Sequence, residues 1–474
     1  MKNIKTKNLI YTLDSYKHLH GDMLPENTEY VYSYCEARKG AMYDYTIFFG
    51  LQYILKEWLI GEVITKEMID EAEPLLKEHF KFNGDVWHRE KWDYIVEKHG
   101  GYLPIRIKAI EEGTKIDVSN ALYTIENTDP KCAWLTNALE TLLQQSWYPT
   151  TVATRAHYIM NIIKNWFKAT VDDDKQWLAE FYLHSFGQRA CADMEQASIG
   201  GAAELVSIKG TDTVMGMKCA IDYYNAAIEG LGYSVPASEH SIACSLGEDG
   251  EFEVVKNLIK KFPDGILSVV SDTYSIENAV KVYCTELKEL ILARNGKFVI
   301  RPDSPRFEGD TPQDQVLWIV KQLDSSFGHT INTKGFKVLD SHVGVIYGDS
   351  LTEHDIRAIS HSLYDNGYSA ESCVFGCGSY LLDKLNRDTE RFAIKASAIC
   401  INGEWKDIYK KPKDISKASK KGRLRVVRYE DCDWVTIDEN LARPQDDRLK
   451  TVYENGKLVC EYSFDDIRKR SLIK

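Results

Sequence analysis

Carboxylates, cationic side chains and glycines recur in this chain directly after short apolar runs. Asp212 closes Lys209-Gly210-Thr211-Asp212, Glu239-His240 follows Tyr233-Ser234-Val235, and Asp272 follows Leu267-Ser268-Val269-Val270-Ser271. Arg301 and Asp303 end Phe298-Val299-Ile300-Arg301-Pro302-Asp303, Gly348-Asp349-Ser350 follows Val343 to Tyr347, and Gly378-Ser379 follows Val374 to Cys377. Phe186 and Arg189 stand in Ser185-Phe186-Gly187-Gln188-Arg189. Asp272, Asp303 and Asp349 are acceptors suited to sugar hydroxyls or a hydrated magnesium ion. Arg189 and Arg301 match phosphate or pyrophosphate oxygens. The glycine words at 348 and 376–379 precede helical patterns, so backbone N–H groups there can hold a phosphate. Phe186 offers a face for a flat heterocycle. Singly, each has an ordinary role, Asp212 and Ser238 as helix caps among them. Together they describe a phosphorylated ribose substrate.

The elements that must position these groups alternate. Leu205, Val206 and Ile208 read as a short strand, Val214 to Ile228 as an amphipathic helix, Tyr233-Ser234-Val235 as a second strand, and Pro236 to Ser241 as a polar loop opening another helix. Seven such strand ends between 185 and 379 predict β/α units with ligands at the carboxyl ends of the strands. Seven units favour a TIM-like, irregular β/α barrel over a doubly wound sheet, for which no GxGxxG is present. Residues 1–148 carry strand patterns at Tyr30 to Tyr34, Leu103 to Ala109 and Ala121 to Ile125, helices at Phe48 to Ile60 and Thr65 to Phe82, and then a largely helical run from Trp134 to Phe167. Beyond 386 the repeat stops, with strand-like pieces at Val435 to Ile437 and Leu458 to Cys460. The expected organisation is an α+β sheet domain begun by 1–148, a barrel over 149–385, and a C-terminal segment, 386–474, that completes the sheet domain.

The chain has 474 residues with 44% hydrophobic and 27% charged content, the composition of a soluble globular protein. No apolar run reaches the ~18 residues of a membrane span and the first residues lack a signal-peptide core, so a cytoplasmic location is expected. The 11 cysteines are scattered without a CxxC and read as reduced thiols. A net charge of −12 argues against an extended nucleic-acid surface, while the basic run from Trp405 to Arg428 is a natural place for a polyphosphate.

The run from Asp14 to Arg38 and the words SFGQRA, KGTDTV, GYSVPASEHS, SVVSDTY, VIRPDS, VIYGDS, SKKGRL and YSFDDIRK, in that order over nearly the whole chain, resemble the nicotinamide phosphoribosyltransferase family of type II phosphoribosyltransferases. The resemblance implies a homodimer with active sites shared between subunits, joining nicotinamide to phosphoribosyl pyrophosphate and releasing pyrophosphate, in NAD salvage. By position it implies that Phe186 of one subunit and Tyr16 of the other sandwich the pyridine, with Asp212, Ser268 and Arg301 beside the amide and ring. Asp303 and Asp349 would hold the ribose, and Gly348, Gly378 and Ser379 the sugar phosphate. Arg189 would meet the phosphates together with Arg387, Lys395, Lys410 and Lys417 of the partner chain, and His240 would be phosphorylated by ATP beside Glu239. His240, Asp272, Arg301 and Asp303 form the implied catalytic group, with magnesium held through substrate phosphates rather than by a dedicated protein site. The chain departs from the family pattern at Gln188, at Ser379-Tyr380, at Ala393 and over Pro305 to Asp314.

The transfer needs no protein nucleophile, because the pyridine nitrogen attacks an oxocarbenium-like sugar carbon; the protein supplies position and charge. Three other readings compete. Nicotinate could be the substrate, but its carboxylate would face Asp212 with like charge. A Schiff-base aldolase would use Lys209. A nucleotide-binding regulator would bind without turnover.

Overall fold

The computed structural model describes residues 7–349, 351–411, 418–429 and 433–473. The chain divides into two compact units. One comprises Met1–Thr154, Cys219–Ala226 and Asn386–Lys474, the other Arg155–Lys218 and Ala227–Leu385.

The second unit is built on a parallel sheet. Its strand order is Gly210–Thr211, Leu183–Ser185, Cys373–Cys377, Val343–Tyr347, Phe298–Arg301 and Leu267–Val270. These strands are almost wholly buried, which accounts for their nearly unbroken apolar sequences. The sheet curls, and one segment meets both of its edges. Tyr233 bridges in parallel to Gly210, and Ala237 to Ser268. Four backbone hydrogen bonds make the join: Tyr233 N to Lys209 O at 2.7 Å, Thr211 N to Tyr233 O at 3.0 Å, Ser268 N to Pro236 O at 2.9 Å and Ser238 N to Ser268 O at 3.0 Å. Polar caps start the intervening helices. Asp193, Ser275 and Thr311 accept from the N–H three residues on, with Pro312 at the first helical position, and Thr352 forms a capping box with Asp355.

The first unit holds a seven-stranded antiparallel sheet, in order Glu404–Asp407, Phe392–Ile401, Thr28–Ala37, Ala121–Asn127, Ile105–Ala109, Lys450–Glu454 and Lys457–Leu458. The N- and C-terminal parts of the chain interleave in it. Ala133–Ala138 packs on the Thr28–Ala37 strand, followed by Glu140–Gln144 and by the first residues of the helix Trp147–Thr170, which passes into the second unit at Arg155. The described architecture is thus mixed α/β, with a curled parallel sheet and separate antiparallel sheets.

Three local expectations shift. Leu205, Val206 and Ile208 are not a strand; they are buried at the end of the Met194–Glu204 helix, and the strand is Gly210–Thr211. An apolar triplet beneath a sheet has the same sequence pattern whether it extends or turns. The next helix stops at Tyr224, where Asn225 takes a left-handed φ of 53°, short of Ile228. The segment from Phe48 resolves into an α-helix, Leu51–Ile54, and a π-turn, Leu55–Leu59. The cysteines among the described residues are all free thiols, and no described helix is long and apolar enough to cross a membrane.

Each unit buries a carboxylate whose pKa is raised chiefly by loss of solvent, Glu112 in the first and Glu204 in the second. Glu112 accepts the N–H groups of Gly50 and Gln52, yet burial raises its pKa to about 7. Glu204 accepts from Thr211 Oγ1 at 3.2 Å, and burial raises it to about 8. An acid whose folded pKa is raised gives stability that is full below its unfolded pKa. That stability is lost as pH climbs, at ~1.4 kcal/mol per unit for each group, until the folded group ionises. The protein should therefore melt lower at pH 8 than at pH 5, and Glu204→Gln should narrow that gap. A Glu204→Gln variant with the parent's pH dependence would show that Glu204 is ionised at neutral pH.

Candidate active site

A cavity of about 430 Å³ in the second unit runs along the parallel strands, from Tyr182, Ile266, Lys297 and Glu371 just before them to Asp212 and Arg301 at their carboxyl ends. Phe186, Asp212, Ser268 and Arg301 all line it, together with His184, Tyr233 and Ser234. Its size and mainly apolar wall suit one planar small molecule. Ser268 is buried and its Oγ has no hydrogen-bond partner, a polar atom left over by the fold. Asp212 is tied sideways rather than to the following helix: Oδ1 accepts from His184 Nε2 at 2.9 Å and from Ser234 Oγ. Burial pushes the Asp212 carboxyl up, but these two bonds and the charges of His184 and Arg301 outweigh it and hold the pKa below the usual carboxylate value.

At the adjoining strand ends lies a charged cluster. His240, exposed at the start of a short helix, places Nε2 3.6 Å from Asp303 Oδ2 and 3.8 Å from Asp272 Oδ1, and its Nδ1 lies 3.2 Å from Thr273 Oγ1. Arg301 pairs with Asp303 at 3.3 Å. Asp272 is held by Asp303 N at 3.0 Å and by Ser304 Oγ, both on its Oδ2. Asp272 Oδ1 and Asp303 Oδ1 are buried and make no hydrogen bond, facing His240 Nε2 and Arg301 Nε at ion-pair distance only. Burial raises the pKa of Asp303; Arg301 and His240 oppose the rise, while Asp272 and Asp349 add to it. Glycines make this crowding possible. A Cβ on Gly348 would overlap Asp303 Oδ1, and one on Gly376 would come within 2.6 Å of the Phe186 ring. Arg189 is exposed on the turn after Phe186 and takes no ion pair among the described residues. Gly378 and Ser379 begin the short helix Ser379–Leu382.

The remaining expected residues belong to the first unit. Tyr16 is 56% exposed and lines a cleft of about 240 Å³ with Asp14, Lys17, Glu140, Trp147 and Arg387. Its segment is well anchored: Lys17 Nζ bonds Glu140 at 2.5 Å and Asn137 O at 3.1 Å, Thr141 donates to Asp14 at 2.6 Å, and His18 is buried against Trp87. Burial, with a smaller contribution from His79, drops the His18 pKa to about 4. Lys395 sits on the Phe392–Ile401 strand with its pKa lowered by burial and by the cations Arg38, Lys410 and Arg387. Lys417 and Ser350 lie outside the described residues.

A nicotinate phosphoribosyltransferase (NAPRTase) family model matches residues 181–457, and a model of the nicotinamide phosphoribosyltransferase N-terminal domain matches 8–107. The chain is 41% identical to the nicotinamide phosphoribosyltransferase of Xanthomonas campestris pv. campestris, over 97% of each chain. The chain belongs to the nicotinate and nicotinamide phosphoribosyltransferase family. A relative of the same name from Acinetobacter baylyi is 34% identical over 98% of this chain and 97% of its own. Among solved structures, a nicotinate-nucleotide pyrophosphorylase from Pyrococcus furiosus has a TM-score of 0.58 at 16% identity, covering 100% of this chain and 97% of its own. Human nicotinic acid phosphoribosyltransferase has 0.56 at 13%, covering 99% and 93%. At these identities the likeness is one of fold. The family makes the chain a phosphoribosyltransferase, an enzyme of NAD biosynthesis.

Several departures from the family pattern resolve into ordinary packing. Arg306 clamps Asp310 through two bonds, at 2.6 and 2.9 Å, and lies over Trp318, so Pro305 to Thr311 forms a pinned loop ahead of the helix Pro312–Phe327. Tyr380 donates to Glu353, and its ring lies under Arg155. Ala393 is buried in its strand. Lys209 Nζ is paired with Glu180 at 2.9 Å and does not line the cavity, which removes the aldolase reading.

Sequence reasoning missed three residues. His184 and Ser234 bond Asp212, and Arg38 shares the field around Lys395. Arg38 directly follows the Thr28–Ala37 strand, a signal available from the alternation. His184 had no such signal, being one polar residue inside a short strand. Among the described residues, one group has metal-ligand chemistry: His99, Asp129 and Cys132. Asp129 already accepts from Tyr94, His99 and Lys131 N, and burial, with Asp129's charge, pushes the Cys132 thiol up to about 12, so the group is a hydrogen-bonded structural knot.

Proposed function

We propose that this enzyme transfers the phosphoribosyl group of phosphoribosyl pyrophosphate to nicotinamide, giving nicotinamide mononucleotide and pyrophosphate. The observation that carries the choice of substrate is Asp212, an ionised carboxylate facing an aromatic-walled cavity. An anion can accept an N–H from a carboxamide but repels the carboxylate of nicotinate. The names of the two bacterial relatives support the same reading. Phe186 stacks the ring, Ser268 and Arg301 meet the amide and the ring edge, and Asp303 and Asp349 take the ribose hydroxyls. Gly348, Gly378 and Ser379 line the sugar phosphate, and Arg189 meets the pyrophosphate. The ring of strands completed by 233–238 is read as an irregular TIM-like barrel. Magnesium carried by the substrate phosphates supplies charge to the leaving group, and the unsatisfied oxygens of Asp272 and Asp303 fit its oxygen-seeking chemistry.

Nicotinate is the second reading, favoured only by the name of the matching family model. Asp212→Asn should shift the nicotinamide-to-nicotinate ratio of kcat/KM toward nicotinate by at least about a hundredfold, since polar mismatches of this kind discriminate by roughly 10⁴-fold or more. An unchanged ratio would place specificity elsewhere.

We further propose that ATP phosphorylates His240, whose ring stands exposed beside two carboxylates that can orient it and take up its charge. His240→Ala should lose ATP hydrolysis and the ATP-dependent gain while keeping slow basal transfer. Intact ATPase activity in that variant would remove His240 from the step.

The active site is proposed to be shared by two copies of the chain in a homodimer. Tyr16, Arg387, Lys395, Lys410 and Lys417 of one chain would serve the strand ends of the other, since they lie far in sequence from the strand-end residues they must complete. Inactive Tyr16→Ala/Lys395→Ala chains mixed with inactive Asp303→Ala chains should regain activity through one intact site per heterodimer. Heterodimers that form and stay inactive would refute sharing.

A further inference from the structure

His184 stands at the centre of the Leu183–Ser185 strand, with Gly210 opposite it on one neighbouring strand and Gly376 on the other. Its ring needs that space: a Cβ on Gly210 would lie 2.9 Å from His184 Nδ1. So placed, Nε2 reaches Asp212 Oδ1 at 2.9 Å. Because the Asp212 carboxylate can only accept, Nε2 carries the hydrogen. Ser234 Oγ donates to the same oxygen. Both donors thus fall on Oδ1, and among the described residues none reaches Oδ2.

Resting on the proposed role of Asp212 above, we propose that His184 is a positioning residue for substrate selection: by donating to Asp212 Oδ1 it turns the carboxylate so that Oδ2 is the acceptor offered to the carboxamide N–H. The arrangement does two things at once. Saturating one oxygen fixes the rotation of a side chain that is otherwise 44% exposed and free to turn toward water. Leaving the second oxygen bare keeps an unsatisfied acceptor facing the cavity, which a carboxamide N–H satisfies and a nicotinate oxygen cannot. Ser234 assists from the segment that bridges the two sheet edges, but a serine hydroxyl rotates freely and is a weaker guide than a ring seated against Gly210.

The test compares three variants in steady-state assays with nicotinamide and with nicotinate. His184→Phe keeps a ring and removes the donor. It should lower the nicotinamide-to-nicotinate ratio of kcat/KM by about tenfold or more, the worth of a hydrogen bond to a charged group, mainly through the KM for nicotinamide. His184→Gln, whose amide nitrogen reaches where Nε2 was, should restore a ratio close to the parent's. In an Asp212→Asn background, His184→Phe should change the ratio no further. If His184→Phe is insoluble, His184→Asn, whose amide stops short of Asp212, replaces it. If Asp212→Asn shifts the ratio and His184→Phe does not, His184 is only cavity wall. A Gln variant as impaired as the Phe variant also overturns the proposal, since the donor would then not matter. If neither Asp212→Asn nor His184→Phe moves the ratio, the underlying reading of Asp212 is what fails.

Discussion

The backbone hydrogen bonds of one short segment, 233–238, underlie the rest of the second unit. Tyr233 bonds the strand at one edge of the parallel sheet and Ser238 the strand at the other. An open parallel edge would leave a row of unpaired N–H and C=O groups, and this segment satisfies both edges at once. It also furnishes Ser234 to Asp212 and Ser238 Oγ to Val270 N. The sheet and the cavity are therefore completed by the same residues, and a change in the segment's register would disturb both.

Charge is the second organising feature of the strand ends. Three aspartates, an arginine and a histidine occupy a small volume, and two carboxylate oxygens there meet their cations only at ion-pair distance, without a hydrogen bond. Such a cluster costs folding energy unless a ligand relieves it, and it is the kind of arrangement found where charge must be handled. The first unit carries the opposite sign, with Arg38, Arg387, Lys395 and Lys410 close enough to lower the pKa of Lys395.

The sequence by itself determined much of this. Strand ends could be found because a buried parallel strand must be apolar and the turn after it must be polar: six of the seven expected ends close strands of the sheet, while the expected strand Tyr233-Ser234-Val235 before Glu239-His240 is reduced to isolated bridges at Tyr233 and Ala237. The residues lining the cavity, Phe186, Asp212, Ser268 and Arg301, were legible because they stand in such words or in family motifs. Less legible were features that depend on partners distant in sequence. The Gly210–Thr211 strand could not be distinguished from the apolar triplet before it, because two residues carry no period. Whether Asp212 bonds its own helix or a neighbouring strand was likewise open, since an aspartate at a strand-to-helix turn suits either. Tertiary structure decided for His184, 28 residues away, because a side chain's hydrogen bond goes to the nearest well-aimed donor in space. The same holds for the interleaved antiparallel sheet, in which Thr28–Ala37 lies between Ala121–Asn127 and Phe392–Ile401, a pairing set by long-range register rather than by local pattern.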